Sequence, residues 1–157
     1  MLNNFEEYYM KLVDYSKEEL IDIATKSFYY VHNILKEEFD DKSFVMDLMI
    51  DLLDGFLVCD GPVNKEEAEL YNNIFETEFS IDEINELVDS HKEKSKERLP
   101  KLDKMKMTNT DLRDTLFLMG ASVAAIDGEI NVKEQEYIEQ YSRVDIVKED
   151  NDKSIKA

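Results

Sequence analysis

The sequence predicts an all-α protein, and three observations lead to that prediction. The 157 residues include only four Gly and two Pro, so residues that break helices are scarce. Apolar residues recur at the spacing of one helix face. Helix-capping sequences stand directly before several of these runs. We therefore expect a compact bundle of about seven helices in a single domain over residues 1–142, followed by a flexible polar tail over residues 143–157.

Capping residues and apolar spacing place the individual helices. "SKEE" at 16–19 and "SIDE" at 80–83 have the Ser-x-x-Glu form of a capping box. "TNTD" at 108–111 opens a further apolar run, and Pro100 ends the charged helix before it. The segment "VDIV" at 144–147 is too short and isolated to form a sheet. The helices are expected at 3–14, 17–39, 43–59, 65–77, 81–98, 110–126 and 132–142.

Isolated polar residues on these helices have simple structural interpretations. The helix at 43–59 has one broad apolar face, and the side opposite to it carries Asp47, Asp51 and Asp54. We expect these three carboxylates to form a solvated face. His32 and His91 have no Cys or His at ligand spacing, so a zinc site is not predicted.

The charge of the chain limits its partners. The net charge is −18, from 19 basic and 37 acidic residues, so nucleic acid and anionic membrane surfaces would be repelled. Cations and basic protein surfaces are the favoured partners. Residues 91–107 differ, with seven basic residues and three acids. This stretch either pairs with the acidic remainder of the chain or docks an acidic partner.

Cysteine content and hydropathy predict a cytoplasmic location. Cys59 is the single cysteine, so no internal disulfide can form, as is typical of a reducing compartment. The first residues lack the basic and apolar regions of a signal peptide. No apolar run approaches the roughly 20 residues that a membrane-spanning helix needs, so we expect no direct membrane insertion.

A repeated motif is the most informative feature of the sequence. "DGPVNKEE" at 60–67 recurs as "DGEINVKE" at 127–134, 67 positions later. Each copy follows a long apolar helix and precedes a second helix, so each copy predicts a helical hairpin. Two such hairpins predict an internal pseudo-two-fold repeat, with halves at about 43–77 and 110–142.

Turn and capping chemistry explains most of the motif. The Gly supplies the positive φ that ends a helix, and the aliphatic residue enters the core. The Asn is an N-cap, and the Glu three residues later completes a capping box. These residues are Gly61, Val63, Asn64 and Glu67 in the first copy and Gly128, Ile130, Asn131 and Glu134 in the second. The leading Asp of each copy is left unexplained.

A metal-binding interpretation starts from that unexplained Asp. The motif matches the second half of a calcium-binding EF-hand loop, but the first two ligand positions would be Phe56 and Val58 in one copy. These apolar residues cannot bind a cation, so an EF-hand is rejected. What remains in each copy is an Asp and a Glu seven residues apart. If the four carboxylates converged, carbonyls and water could complete a divalent-cation site; pairing with Lys65 or Lys133 would also relieve their repulsion.

The duplicated motif in an all-helical chain of this length resembles the tellurite-resistance TerB-like family, which also includes the N-terminal region of a membrane-anchored DnaJ-type co-chaperone. The resemblance covers about residues 43–142. It implies a seven-helix fold with an internal repeat, divalent-cation binding and a place in stress-response protein complexes. Cys59 and Ile126 precede the motif Asp where the family often has Ala. Carried over by position, the resemblance implies metal ligands at Asp60, Glu67, Asp127 and Glu134.

Three function classes follow from the sequence. The leading expectation is a non-enzymatic acidic helical module that holds a divalent cation, such as calcium or magnesium, through the repeated motif in a stress-response or scaffold complex. The alternative is a module that binds only proteins, in which the Asp-Gly turns are structural. A metal-dependent hydrolase is the least favoured class, because the sequence has no recognisable catalytic arrangement or phosphate-binding loop.

Overall fold

The computed structural model of the protein describes residues 10–59, 61–126 and 132–142, and the regular secondary structure of these residues is helical, without any strand. The all-α prediction is therefore confirmed for this part of the chain. A single 3₁₀ turn, Leu99–Leu102, connects two of the helices. The α-helices are α1 (Lys17–Glu38), α2 (Lys42–Val58), α3 (Lys65–Phe75), α4 (Ile81–Arg98), α5 (Asp103–Thr108), α6 (Thr110–Ile126) and α7 (Val132–Ser142).

The predicted capping boxes start α1 and α4. Ser16 Oγ accepts from the backbone N–H of Glu19, whose carboxylate accepts from the N–H of Ser16. Ser80 and Glu83 repeat this pattern at α4. Each pair satisfies two donors that the first helical turn leaves without a helical partner. The helix expected at 3–14 falls mostly outside the described residues; residues 10–12 of it are helical.

The segment after Pro100 differs from the prediction. The sequence predicted no helix between residues 98 and 110, but the chain continues as the 3₁₀ turn and α5. Pro100 stands in the first turn of the 3₁₀ segment, where the missing N–H of proline breaks no helical hydrogen bond. Leu102 in this turn is fully buried, so its burial holds the segment against the core.

A single cluster of buried apolar side chains joins the helices. α1 packs most extensively against α6, and α2 contacts both of these helices. The fully buried side chains of α1 include Ala24, Phe28, Val31 and Leu35, which follow the helical spacing predicted from the sequence. None of the described helices has the length and apolar character that crossing a bilayer requires.

Two glycines allow α7 to lie close to its neighbours. A Cβ atom at Gly55 of α2 would overlap Tyr137 Oη of α7. A Cβ atom at Gly120 of α6 would lie 3.0 Å from Ile138 Cγ1 and 2.8 Å from Phe56 Cε1. A larger residue at either position would therefore force these neighbouring side chains to shift.

Candidate functional site

The first copy of the repeated motif adopts the predicted turn and cap. Gly61 has a φ of 146°, which favours glycine. Val63 is buried, and its N–H donates to Asn85 Oδ1 of α4 at 2.9 Å. Asn64 and Glu67 form the reciprocal capping box of α3, with distances of 2.8 and 3.0 Å. Turn and cap chemistry thus accounts for these four residues.

The metal-ligand prediction is only half covered by the described residues. Asp60 and Asp127 lie outside them, as do Gly128, Ile130 and Asn131 of the second copy. Glu67 and Glu134 are both buried, with 4% and 5% of their surface exposed. Among the described residues, no group of three or more His, Cys, Asp or Glu side chains could hold a metal ion. Glu67 and Glu134 therefore do not form a metal site without further ligands.

A buried ion pair connects α2 to the end of α4. The Asp51 side chain is fully buried, and it accepts two hydrogen bonds from Arg98: Nε to Oδ2 at 2.5 Å and Nη2 to Oδ1 at 2.8 Å. This two-point geometry suits a guanidinium and a carboxylate. The hydrogen bond to Asp51 raises the pKa of the Arg98 guanidinium. Arg98 also lies 4.0 Å from Asp47, whose side chain is half exposed.

A second buried carboxylate lies one helical turn further along α2. Asp54 has 6% of its surface exposed, and its Oδ2 lies 3.0 Å from His91 Nδ1. Its other oxygen, Oδ1, is buried without a hydrogen-bond partner among the described residues. Burial raises the pKa of the Asp54 carboxyl to about 6, although the hydrogen bond to His91 acts in the opposite direction.

These two pairs overturn part of the sequence analysis. The solvated-face prediction was wrong for Asp51 and Asp54, and His91 is not isolated. The reason is that α4 covers this side of α2 and presents polar groups to it. The positions of His91, Ser95 and Arg98 follow helical spacing, as do those of Asp51 and Asp54. The acidic stripe on α2 and the stripe with basic residues on α4 were the sequence signal that could have predicted the contact between the two helices.

A small cavity adjoins the Asp54–His91 pair. Its volume is about 80 Å³, and helices α2, α4 and α7 line it. The lining includes Asp54, Gly55, His91, Ser95 and Tyr137. Its size suits a few water molecules rather than an organic substrate.

A larger, open trough runs between the end of α1 and the start of α6. Two adjoining cavities of about 320 and 380 Å³ share Glu38, Asn109 and Asp111 as lining residues. We call the two together the α1–α6 trough. Its wider lining combines apolar and acidic side chains, and no described lining residue is Lys or Arg. The remaining lining residues are Tyr30, Asn33, Ile34, Glu37, Met105, Thr108 and Thr110.

The exposed tyrosines of α1 have different roles. Tyr29 donates its hydroxyl to the carbonyl of Ile74 at 2.6 Å, so it fastens α1 to α3. Tyr30 lines the trough and has 50% of its surface exposed. An exposed tyrosine beside carboxylates offers a face on which a cation can stack.

Comparison with known proteins does not add a relative. No family model matches the chain, and neither a curated protein nor a solved structure was found to be similar to it.

Proposed function

We propose that this protein is a non-enzymatic acidic module whose α1–α6 trough binds a basic, arginine-rich segment of a partner protein. The observation that carries the proposal is the combination of Glu37, Glu38 and Asp111 with the half-exposed ring of Tyr30 along one open trough. Arginine suits such a surface because its guanidinium both pairs with carboxylates and stacks on aromatic rings.

The charge of the whole chain favours the same class of partner. A net charge of −18 attracts basic surfaces over a distance and accelerates encounter. General attraction would bind any polycation, so the trough must be distinguished from the rest of the acidic surface.

The test measures fluorescence anisotropy of a labelled peptide of alternating Arg and Ser. In the test variant, Glu37→Gln, Glu38→Gln and Asp111→Asn remove three charges from the trough. In the matched control, Asp14→Asn, Glu78→Gln and Glu86→Gln remove three exposed charges elsewhere. We expect the trough variant to bind about tenfold more weakly than the control variant. Equal losses in the two variants would contradict the proposal.

An aromatic pair of variants tests the stacking contact separately. Tyr30→Ala should weaken peptide binding by about three- to fivefold, as the loss of an exposed cation–π contact predicts. Tyr15→Ala is the control, because Tyr15 is 45% exposed and does not line the trough. A similar loss from both substitutions would remove Tyr30 from the proposed site.

Cation binding by the repeated motif is the second candidate function. It is favoured by the burial of Glu67 and Glu134, which occupy the same position, the third residue, in α3 and α7. These two 11-residue helices begin and end 67 positions apart, which supports the proposed pseudo-two-fold repeat. With Asp60 and Asp127, the two glutamates would supply the oxygen ligands that calcium and magnesium prefer. The TerB-like resemblance adds the proposal of a stress-response or scaffold complex.

Thermal unfolding of metal-stripped protein tests this second function. Calcium, magnesium, manganese and zinc are added in turn to the wild type and to an Asp60→Asn/Asp127→Asn double variant. A saturable rise in Tm that the double variant lacks would support cation binding. Equal behaviour of the two proteins with every ion would leave the motif with a structural role only.

A further inference from the structure

The charged groups that lie nearest to the Asp54–His91 pair already have partners. Titratable side chains face Asp54 from its own helix and from three others: Asp51 on α2, Tyr71 on α3, His91 and Lys92 on α4, and Tyr137 on α7. Lys92 is paired with Asp89 at 3.1 Å, and Asp51 is paired with Arg98. Among the described residues, His91 is therefore the one basic group bonded to Asp54.

The charged form of Asp54 is poorly accommodated at this position. As a carboxylate, it accepts a hydrogen bond from the Nδ1–H of His91 through Oδ2, while Oδ1 stays buried without a partner in the described structure. An ionised oxygen in that situation costs free energy. Asp51 adds a second negative charge on the same helix and disfavours the charged form further.

A proton on Asp54 removes this cost and preserves the contact between the helices. With the ring proton of His91 on Nε2, the protonated carboxyl donates from Oδ2 to Nδ1 across the same 3.0 Å contact. His91 keeps 31% of its side chain exposed, so a proton can exchange with solvent through the ring. The hydrogen bond between α2 and α4 persists, with its direction reversed.

We propose that Asp54 and His91 form a proton-operated switch, in which protonation of Asp54 in mildly acidic solution strengthens the docking of α4 on α2 and deprotonation weakens it. The proposal goes beyond the binding function and does not depend on it. It rests on the buried pair, the unpartnered Oδ1 and the position of the pair between two helices.

The sign of the effect follows from the two states of the protein. Burial raises the pKa of the Asp54 carboxyl from its ordinary value of 3.8, which applies to the unfolded chain, to about 6 in the folded protein. Because the pKa is higher in the folded protein, protonation of Asp54 favours folding. This contribution is fully present at pH values below the unfolded pKa, and it is lost as the pH rises through about 6. The contribution of Asp54 should therefore change the unfolding equilibrium constant about tenfold between roughly pH 5 and pH 7.5.

Urea unfolding of the wild type and of an Asp54→Asn variant across this pH range tests the proposal. The Asp54→Asn variant imitates the neutral carboxyl and can still donate to His91, so it should be at least as stable as the wild type near pH 7.5. Between roughly pH 5 and pH 7.5, the unfolding equilibrium constant of the wild type should rise about tenfold relative to that of Asp54→Asn. Asp40→Asn is the control, because Asp40 is exposed and should follow the wild type at every pH. Parallel curves for wild type and Asp54→Asn would overturn the proposal.

A measurement on wild-type protein keeps the test valid if Asp54→Asn does not fold. Carbon-13 NMR follows the Asp54 carboxyl through the titration, and amide hydrogen exchange compares α4 with α6 after correction for the intrinsic exchange rate. We expect the carboxyl to titrate near pH 6 and the protection of α4 to increase more than that of α6 on acidification. A carboxyl that titrates near its ordinary value of 3.8, or equal changes in the two helices, would overturn the proposal.

Discussion

Asp51 shows how a single residue depends on one partner. Its side chain is fully buried, and its carboxylate accepts two hydrogen bonds from Arg98. A buried carboxylate keeps its charge only where such a partner offsets the lost hydration. The main role of Arg98 is therefore to allow the burial of Asp51, and the ion pair itself adds little net stability to the fold.

Removing Arg98 alone should be strongly destabilising. We expect Arg98→Met to lower the free energy of unfolding by about 3–5 kcal/mol, because it leaves Asp51 buried and unpaired. Arg98→Lys keeps the charge but not the two-point geometry, so its loss should be smaller. The Asp51→Leu/Arg98→Met double variant should recover much of the stability. Urea unfolding of the wild type, Asp51→Leu, Arg98→Met and the double variant measures the coupling between the two residues. A loss below about 1 kcal/mol for Arg98→Met would contradict this account.

At the scale of elements, the position of α7 depends on small residues in its neighbours. Gly55 and Gly120 lie inside α2 and α6, where glycine is unfavourable for the helix itself. Both face α7, so their missing side chains make room for Tyr137 and Ile138. The ring of Tyr137 also packs edge-on against Phe56 of α2, with centroids 5.8 Å apart.

A methyl group at Gly55 should loosen this contact. Alanine would gain up to about 1 kcal/mol in helix propensity, but its Cβ would overlap Tyr137. We expect Gly55→Ala to cost about 1–3 kcal/mol in thermal or urea unfolding. In a Tyr137→Leu background the same substitution should be neutral or stabilising. An equal cost in both backgrounds would show that the close approach of Tyr137 does not explain the glycine.

At the scale of the whole molecule, negative charge opposes the folded state. The chain carries 37 acidic and 19 basic residues, and folding brings these charges closer together. Several surface pairs, such as Lys17–Glu69 at 2.9 Å, offset little of this repulsion because they are exposed.

Screening by salt should therefore stabilise the protein. We expect Tm to rise between about 20 mM and about 300 mM NaCl, because the Debye length shortens over this range. Thermal unfolding followed by circular dichroism measures the shift. A parallel measurement in magnesium chloride at matched ionic strength distinguishes screening from specific cation binding. Specific binding would raise Tm above its value in NaCl. A Tm that is independent of NaCl would contradict the screening argument.

The sequence predicted the helices better than it predicted the sites. Six of the seven expected helices were found within a few residues of their predicted bounds, and the seventh falls mostly outside the described residues. The first motif copy was predicted in detail as a turn and cap. The α2–α4 contact was missed, since each of its helices carries an ordinary charged stripe when considered alone.

Features that depend on residues within one helical turn could be predicted from the sequence alone: the capping boxes of Ser16, Asn64 and Ser80, the glycine turn at Gly61 and the apolar face of each helix. Which charged residues are buried away from solvent depends instead on how the helices pack in the tertiary structure. Asp51 meets Arg98 across 47 positions and Asp54 meets His91 across 37. The physical reason is that capping is a local hydrogen-bonding problem, whereas the burial of a charge depends on which helix packs over it.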